Sequence, residues 1–163
     1  MPHLHRSVFV VAILSLCLVV SSSAYAGSGS CYRHSEKDRL LAKKTNAARA
    51  HAGVRKLSLD PHLSLVARRQ ARAMARKRTL YHTPSLGSKV TRWRSLGENV
   101  GYASSVKRVH RAFMGSSPHK ANILKSSFRH VGVGTKRKGA YVWSAVVFES
   151  RRNPGTTLKM PSC

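Results

Sequence analysis

From Glu36 to His51 the chain carries no Gly or Pro and is rich in Ala, Leu, Lys and Arg, a composition that favours a helix. Gly53 would end it. Asp60-Pro61 then supplies a capping acid followed by proline at the start of a second helix, where the missing N–H costs nothing. Behind that start Leu63, Val66, Ala67, Gln70, Ala71 and Met74 recur at helical spacing, giving one buried stripe interrupted only at Gln70. Arg68, Arg69, Arg72 and Arg76 fall on the other faces and read as a solvated side.

The periodicity lapses over residues 82–104, where Pro84, Gly87, Gly97 and Gly101 mark an ordered loop with room for one short strand. Ser105 can cap a third helix whose Val106, Val109 and Phe113 share a face. Ser117-Pro118 repeats the cap-plus-proline start for a short helix through Leu124, with His119 in its first turn. The period then changes. Val131, Val133 and Thr135 alternate with Gly132 and Gly134, residues 136–139 supply a turn, and residues 140–148 form a second strand, so the segment is a hairpin. In the second strand Tyr141, Trp143, Ala145 and Val147 line one face and Val142, Ser144, Val146 and Phe148 the other. A strand apolar on both faces, preceded by helices, implies a sheet between two helical layers.

The 163 residues suffice for one domain with its own core. Residues 1–26 read as a secretory signal: His3, His5 and Arg6 precede the apolar run Val8 to Val20, and Ala24-Tyr25-Ala26 is a small-residue cleavage site. That apolar run is too short to cross a bilayer as a helix, which needs about 20 residues. The signal would take Cys17 with it, leaving Cys31 and Cys163 at the two ends of the chain in oxidising surroundings. One bridge between them would close a loop of about 130 residues, worth about 5 kcal/mol in the chain-entropy model; two free or intermolecular thiols are the alternative. The domain plan is thus a signal over 1–26, a lead over 27–35 with Cys31, the folded domain over 36–149, and a tail over 150–163 with Cys163.

Charge changes the picture most. The chain has 30 Lys and Arg against 5 Asp and Glu, a formal net charge of +25, and losing the signal removes only Arg6, leaving +24. The bases are scattered, with no run longer than the triplets Arg76-Lys77-Arg78 and Lys136-Arg137-Lys138, so the protein is a charged globule and not a domain with a basic tail. Such a field concentrates polyanions. Secretion, and the lack of a groove-reading module or an aromatic stacking platform, argue against nucleic acid as the partner.

The segments Gly97-Glu98-Asn99-Val100-Gly101 and Ser117-Pro118-His119-Lys120-Ala121-Asn122-Ile123-Leu124 resemble two signature blocks of bacterial members of the CAP superfamily, the cysteine-rich secretory, antigen 5 and pathogenesis-related class 1 proteins. Residues 46–59 resemble the family's first-helix block, His82 its first site histidine, and residues 131–149 its closing hairpin. The resemblance covers residues 36–149. It implies an α/β fold, a three-layer α-β-α sandwich with a mostly antiparallel central sheet, and a cleft lined by two histidines and one or two acids. The histidines fall on His82 and His119 and the first acid on Glu98. The second acid of eukaryotic members would fall near Ser116, where this chain has none.

Three chemistries suit that set. Two neutral imidazoles and a carboxylate can hold a divalent cation such as zinc, with Glu98 as ligand or as the group that fixes a histidine tautomer. The three can instead form a hydrogen-bonded cluster that pins loops. A hydrolase would use Ser116 or Ser117 as nucleophile, His119 or His82 as base and Glu98 as orienter, but Ser117 before Pro118 has the pattern of a helix cap, and no G-x-S-x-G elbow is present. His34, His51, His62, His110 and His130 have no helpful spacing and read as surface or incidental. Trp143 reads as core, and Trp93, between Arg92 and Arg94, as an exposed contact or a loop anchor. The expectation is a secreted monomer, with no membrane span after processing, that binds rather than catalyses. Its cleft or basic exterior would meet an anionic cell-envelope polymer, a membrane surface or a lipid; a hydrolase at the envelope is the alternative.

Overall fold

The computed structural model describes Met1 and residues 31–162. The expected signal over 1–26, Cys17 and Cys163 lie outside the described residues, and with them the Cys31–Cys163 pairing.

Helix α1, Glu36–His51, begins at a reciprocal cap: the Ser35 hydroxyl accepts from Asp38 N at 3.1 Å, and the Asp38 carboxylate accepts from Ser35 N at 2.9 Å. Each bond satisfies an N–H that the first helical turn leaves without a partner. After the short strand β1, Ser58–Leu59, helix α2 spans Pro61–Lys77, with the Asp60 side chain accepting from Leu63 N at 2.9 Å. Its predicted stripe is buried throughout, Gln70 included, because the Gln70 amide donates to the Tyr81 carbonyl and so makes a polar side chain tolerable there.

Residues 82–104 hold more structure than their sequence suggests. They form α3 (Leu86–Lys89), β2 (Val90–Thr91) and an eight-residue strand, β3 (Leu96–Ala103). Helices α4 (Val106–Gly115) and α5 (Ser117–Leu124) follow, then β4 (His130–Lys138), β5 (Tyr141–Glu149) and β6 (Gly155–Thr156). The main sheet has the order β1-β4-β5-β3, antiparallel except for β1 against β4; β2 and β6 form a separate pair. The residues LGENVGYA carry no alternating pattern that would announce β3. They form a strand because their full length pairs with β5, from Leu96 opposite Glu149 to Ala103 opposite Val142, a tertiary constraint that overrides weak local preference.

Leu63, Val66, Ala67 and Met74 of α2 pack with Val100, Trp143, Ala145 and Val147 on one face of the sheet. Leu41 of α1, Val109 and Phe113 of α4 and Ile123 of α5 pack with Val131, Val133, Val146 and Phe148 on the other. The alternation in β5 thus feeds two cores, and the three-layer expectation holds. Close approach of α2 to β4 depends on glycine. An added Cβ at Gly134 would stand 2.1 Å from Arg68 N and 2.3 Å from Ala67 C, and one at Gly132 would stand 2.2 Å from Leu63 C.

Several single-residue expectations need correction. The α5 cap is Ser116 and not Ser117, and its side chain makes no capping bond. Arg68 is not on a solvated face: it pairs with Asp38 at 3.2 Å and stacks 4.0 Å above the Tyr32 ring. His34 is half-buried against the Ser64 hydroxyl at 3.0 Å. The hairpin turn is shorter than residues 136–139, since β4 continues to Lys138 and the chain reverses at Gly139, whose φ of 55° suits glycine. Trp143 is core, as expected, whereas Trp93 anchors its loop by donating to the Gly87 carbonyl at 2.9 Å.

Candidate functional site

β3 is an edge strand, and the polar residues of its Gly97-Glu98-Asn99-Val100-Gly101 segment tie neighbouring pieces of chain to that edge. Successive side chains of a strand point to opposite faces. Glu98 shares a face with Val100, on the α2 side. Its Oε2 accepts from His82 Nδ1 at 2.8 Å and from Thr83 N at 2.8 Å, and its Oε1 accepts from the Thr83 hydroxyl. The Glu98 side chain is 4% exposed, while the His82 side chain is 62% exposed. Glu98 is therefore a buried clamp that fixes residues 82–83 and presents the far side of the imidazole to solvent.

Asn99 points the other way, fully buried, and donates from Nδ2 to the His119 carbonyl at 2.9 Å. Its Oδ1 accepts from Asn122 Nδ2 at 3.0 Å, and the same amide reaches the Glu98 carbonyl at 3.3 Å. Asn99 and Asn122 thus position the first turn of α5, a role the sequence reading did not assign. The available signal was their place inside the two blocks, as amides on elements that otherwise bury apolar side chains. The His119 ring lies 5.0 Å from the Phe113 ring. Burial lowers the His119 pKa from its ordinary value, and the nearby His82 lowers it further, so the two imidazoles feel one another across the corner.

As a metal site the corner is incomplete. Both Glu98 oxygens are engaged by residues 82–83, and among the described residues no group of three or more His, Cys, Asp and Glu stands where it could hold a metal ion. The expected zinc set of His82, His119 and Glu98 reduces to two imidazoles, with the carboxylate orienting one of them. As a serine hydrolase it is also incomplete, because among the described residues neither the Ser116 nor the Ser117 hydroxyl is hydrogen-bonded to a histidine. The His34–Ser64 contact is structural: Ser64 is fully buried and also accepts from Val133 N at 3.0 Å.

Beside the corner a groove of about 250 Å³ runs between β3 and α4, floored by Val100, Tyr102, Val109 and Phe113, with Ser116 and His119 at its end. Tyr102 carries it into a second hollow of about 350 Å³ where Tyr102 stacks on Trp143 at 4.5 Å, with Arg78 and Lys138 at the margin.

Burial also lowers the pKa of His34 and His110. A histidine whose folded pKa lies below its unfolded value binds fewer protons when folded, so stability is complete above the unfolded pKa and is lost as pH falls toward the folded one. Three such histidines predict that the melting temperature is flat above about pH 7 and falls as pH drops below about 6.5, before most carboxylates titrate. A thermal melt at intervals from about pH 8 to pH 5 checks this; a midpoint that rises on acidification over that window contradicts it.

Comparison with known proteins supplies the remaining context. The model of the family described as "CAP: Cysteine-rich secretory protein family" matches residues 42–148. A curated relative, the uncharacterized protein YkwD of Bacillus subtilis, is 31% identical over 116 residues, covering 66% of this chain and 45% of the relative, so this chain spans less than half of that protein's length. Among solved structures, an outer surface protein of Borrelia burgdorferi superposes with a TM-score of 0.65 at 19% identity, covering 72% of this chain and 94% of that one. An SCP-domain extracellular protein of Bacillus anthracis gives 0.62 at 21% identity, covering 71% and 40%.

Proposed function

Since the chain belongs to the cysteine-rich secretory protein (CAP) family by the match over residues 42–148, we propose that it is an extracellular binding module, not an enzyme, held to anionic polymers of a cell envelope by its basic exterior. One observation carries this reading: four of the five acids are spent inside the fold. Asp38 serves the α1 cap, Arg68 and Thr135, and Asp60 caps α2. Glu98 clamps residues 82–83, and Glu149, fully buried, accepts from the main-chain N–H groups of Arg94 and Arg151. Only Glu36 remains to oppose the exposed Lys and Arg side chains.

The distribution of those cations favours a chain-like partner over a flat membrane. Lys43 of α1, Lys107 and Arg111 of α4, Arg72 and Arg76 of α2 and Lys136 at the hairpin are all exposed, and α2 lies on the opposite face of the sheet from α1 and α4. A flexible polyanion can follow cations on several faces, whereas a plane meets one. Among the described residues no helix is long and apolar enough to cross a membrane.

The site chemistry supports binding over turnover, because Glu98 is locked to its own loop and, among the described residues, neither serine of the corner is paired with a histidine. The experiment is retention of the secreted protein on an immobilised anionic polymer, beside anionic vesicles, for the wild type and a His82→Ala/His119→Ala variant. The expected result is preferential retention on the polymer, equal for the two proteins. Retention lost in the variant at unchanged Lys and Arg content would move recognition to the histidine corner, and preferential capture by vesicles would replace the polymer with a membrane.

A further inference from the structure

At the end of the sheet where β3 and β4 begin and β5 ends, a pocket of about 470 Å³ is lined by Arg94, Ser95, Lys125, Ser127, Arg129 and Ser150. We propose that this pocket is a phosphate-binding subsite, a specific seat within the broadly basic exterior on which the polymer-binding reading rests. Its composition is the first argument. Three cations and three hydroxyls converge from three separate stretches of chain, and no apolar side chain is among them. Guanidinium groups match the oxygens of a phosphate in geometry and charge, and hydroxyls complete the shell of a tetrahedral anion.

The second argument is that these cations are not neutralised: their side-chain contacts are to main-chain carbonyls, a hydroxyl and the Phe128 ring, and none is to a carboxylate among the described residues. Among the described residues none of Arg94, Lys125 and Arg129 lies within ion-pair distance of a carboxylate; the only Lys or Arg so placed is Arg68. The Ser150 hydroxyl is buried and has no hydrogen-bond partner, which costs free energy that a ligand oxygen would recover. The Lys125 ammonium donates to the Ser95 hydroxyl at 3.1 Å, which orients both toward one another at the mouth. Glu149 is the one acid nearby; its Oε1 accepts from Arg94 N and Arg151 N, its Oε2 is buried without a hydrogen-bond partner among the described residues, and its single charge leaves the three cations in excess.

The third argument is preorganisation. Arg49 of α1, fully buried, donates from Nη1 to the carbonyls of Ile123 at 2.7 Å and Lys125 at 2.9 Å, and from Nε to that of Arg55 at 2.7 Å. It fastens the start of the 125–129 segment from behind. Arg129 fastens the other end, donating to the Ser126 carbonyl at 2.6 Å while its main-chain N–H bonds Glu149 O at 2.8 Å. The repulsion between Arg129 and Arg49 lowers the Arg49 pKa further than burial alone, so an anion here would relieve two cations.

Calorimetric titration of the secreted protein at fixed ionic strength tests the assignment, with inorganic phosphate and a glycerophosphodiester oligomer as the two probes. An Arg94→Gln/Lys125→Gln variant is compared with a charge-matched Lys136→Gln/Arg137→Gln control at the hairpin, and with Ser150→Ala. Loss of two charge-assisted bonds should weaken at least one probe by tenfold or more, about 1.4 kcal/mol per decade, in the pocket variant and not in the control. Ser150→Ala should weaken it by a smaller factor. Tighter binding of the oligomer assigns the seat to polymer-borne phosphate, and tighter binding of the free ion assigns it to phosphate itself. Equal losses in pocket variant and control, or no binding of either probe, would overturn the subsite while leaving retention on anionic polymer to stand or fall by itself.

Discussion

Gly134→Ala should destabilise the domain by about 3 kcal/mol or more, lowering the melting temperature by roughly 10 °C or more. The new methyl would sit 2.1 Å from Arg68 N and 2.3 Å from both Ala67 C and Arg68 Cα, all main-chain atoms of α2. A flexible side chain could swing away, but a helix backbone has to move as a body. Moving it would part α2 from the sheet and open the core that Leu63, Ala67, Val147 and Trp143 share. Gly115→Ala is the control, since a Cβ there meets nothing within 4 Å. A Gly134→Ala melt within about 2 °C of the wild type would show that the close approach of α2 to β4 is not what the fold depends on.

Glu98→Ala should cost about 3 kcal/mol and release the loop that carries His82. The substitution leaves Thr83 N buried without its acceptor and returns the Thr83 hydroxyl and His82 Nδ1 to solvent or to no partner, and an orphaned buried donor costs about 1–3 kcal/mol. Glu98→Gln keeps the shape and one acceptor oxygen, so it should lose less. Amide hydrogen exchange separates the loop from the whole molecule: Thr83 N–H should lose protection in Glu98→Ala far more than Val146 N–H in the neighbouring strand. Thr83 protected as in the wild type would mean that other bonds, such as that from Gln70 to the Tyr81 carbonyl, hold the loop unaided.

What could be read from the sequence was set by how locally each feature is encoded. The end of α1 is marked by Gly53 and the start of α2 by Asp60-Pro61, because capping and proline preferences act within one turn, whereas the reciprocal Ser35 cap of α1 was read only from the fold. The two-sided apolar pattern of β5 likewise announced a sheet covered on both faces. β3 was not legible beyond a short strand, since its glycines and its Glu98-Asn99 pair make sense only when β5 lies alongside and two loops come to be held. Arg49 was equally hidden: an arginine in a basic helix looks solvated, and only the fold shows that the carbonyls of Ile123 and Lys125 surround it. At the candidate site the residues were legible but their division of labour was not. His82 and Glu98 share bonds, His119 is held through its main chain by Asn99, and the serines are not engaged as a catalytic group.

The inward assignment of Asp38, Asp60, Glu98 and Glu149 is what turns a basic composition into a basic surface, and the account of function rests on that surface. The most direct measurement is the salt dependence of affinity for an anionic envelope polymer, taken as the slope of log affinity against log salt for the protein lacking residues 1–26. Binding through six or more exposed Lys and Arg contacts releases counterions, so affinity should fall by about a thousandfold or more between about 50 and 200 mM salt. An affinity that changes by less than about threefold over that range would contradict the account and place recognition in the groove beside His119.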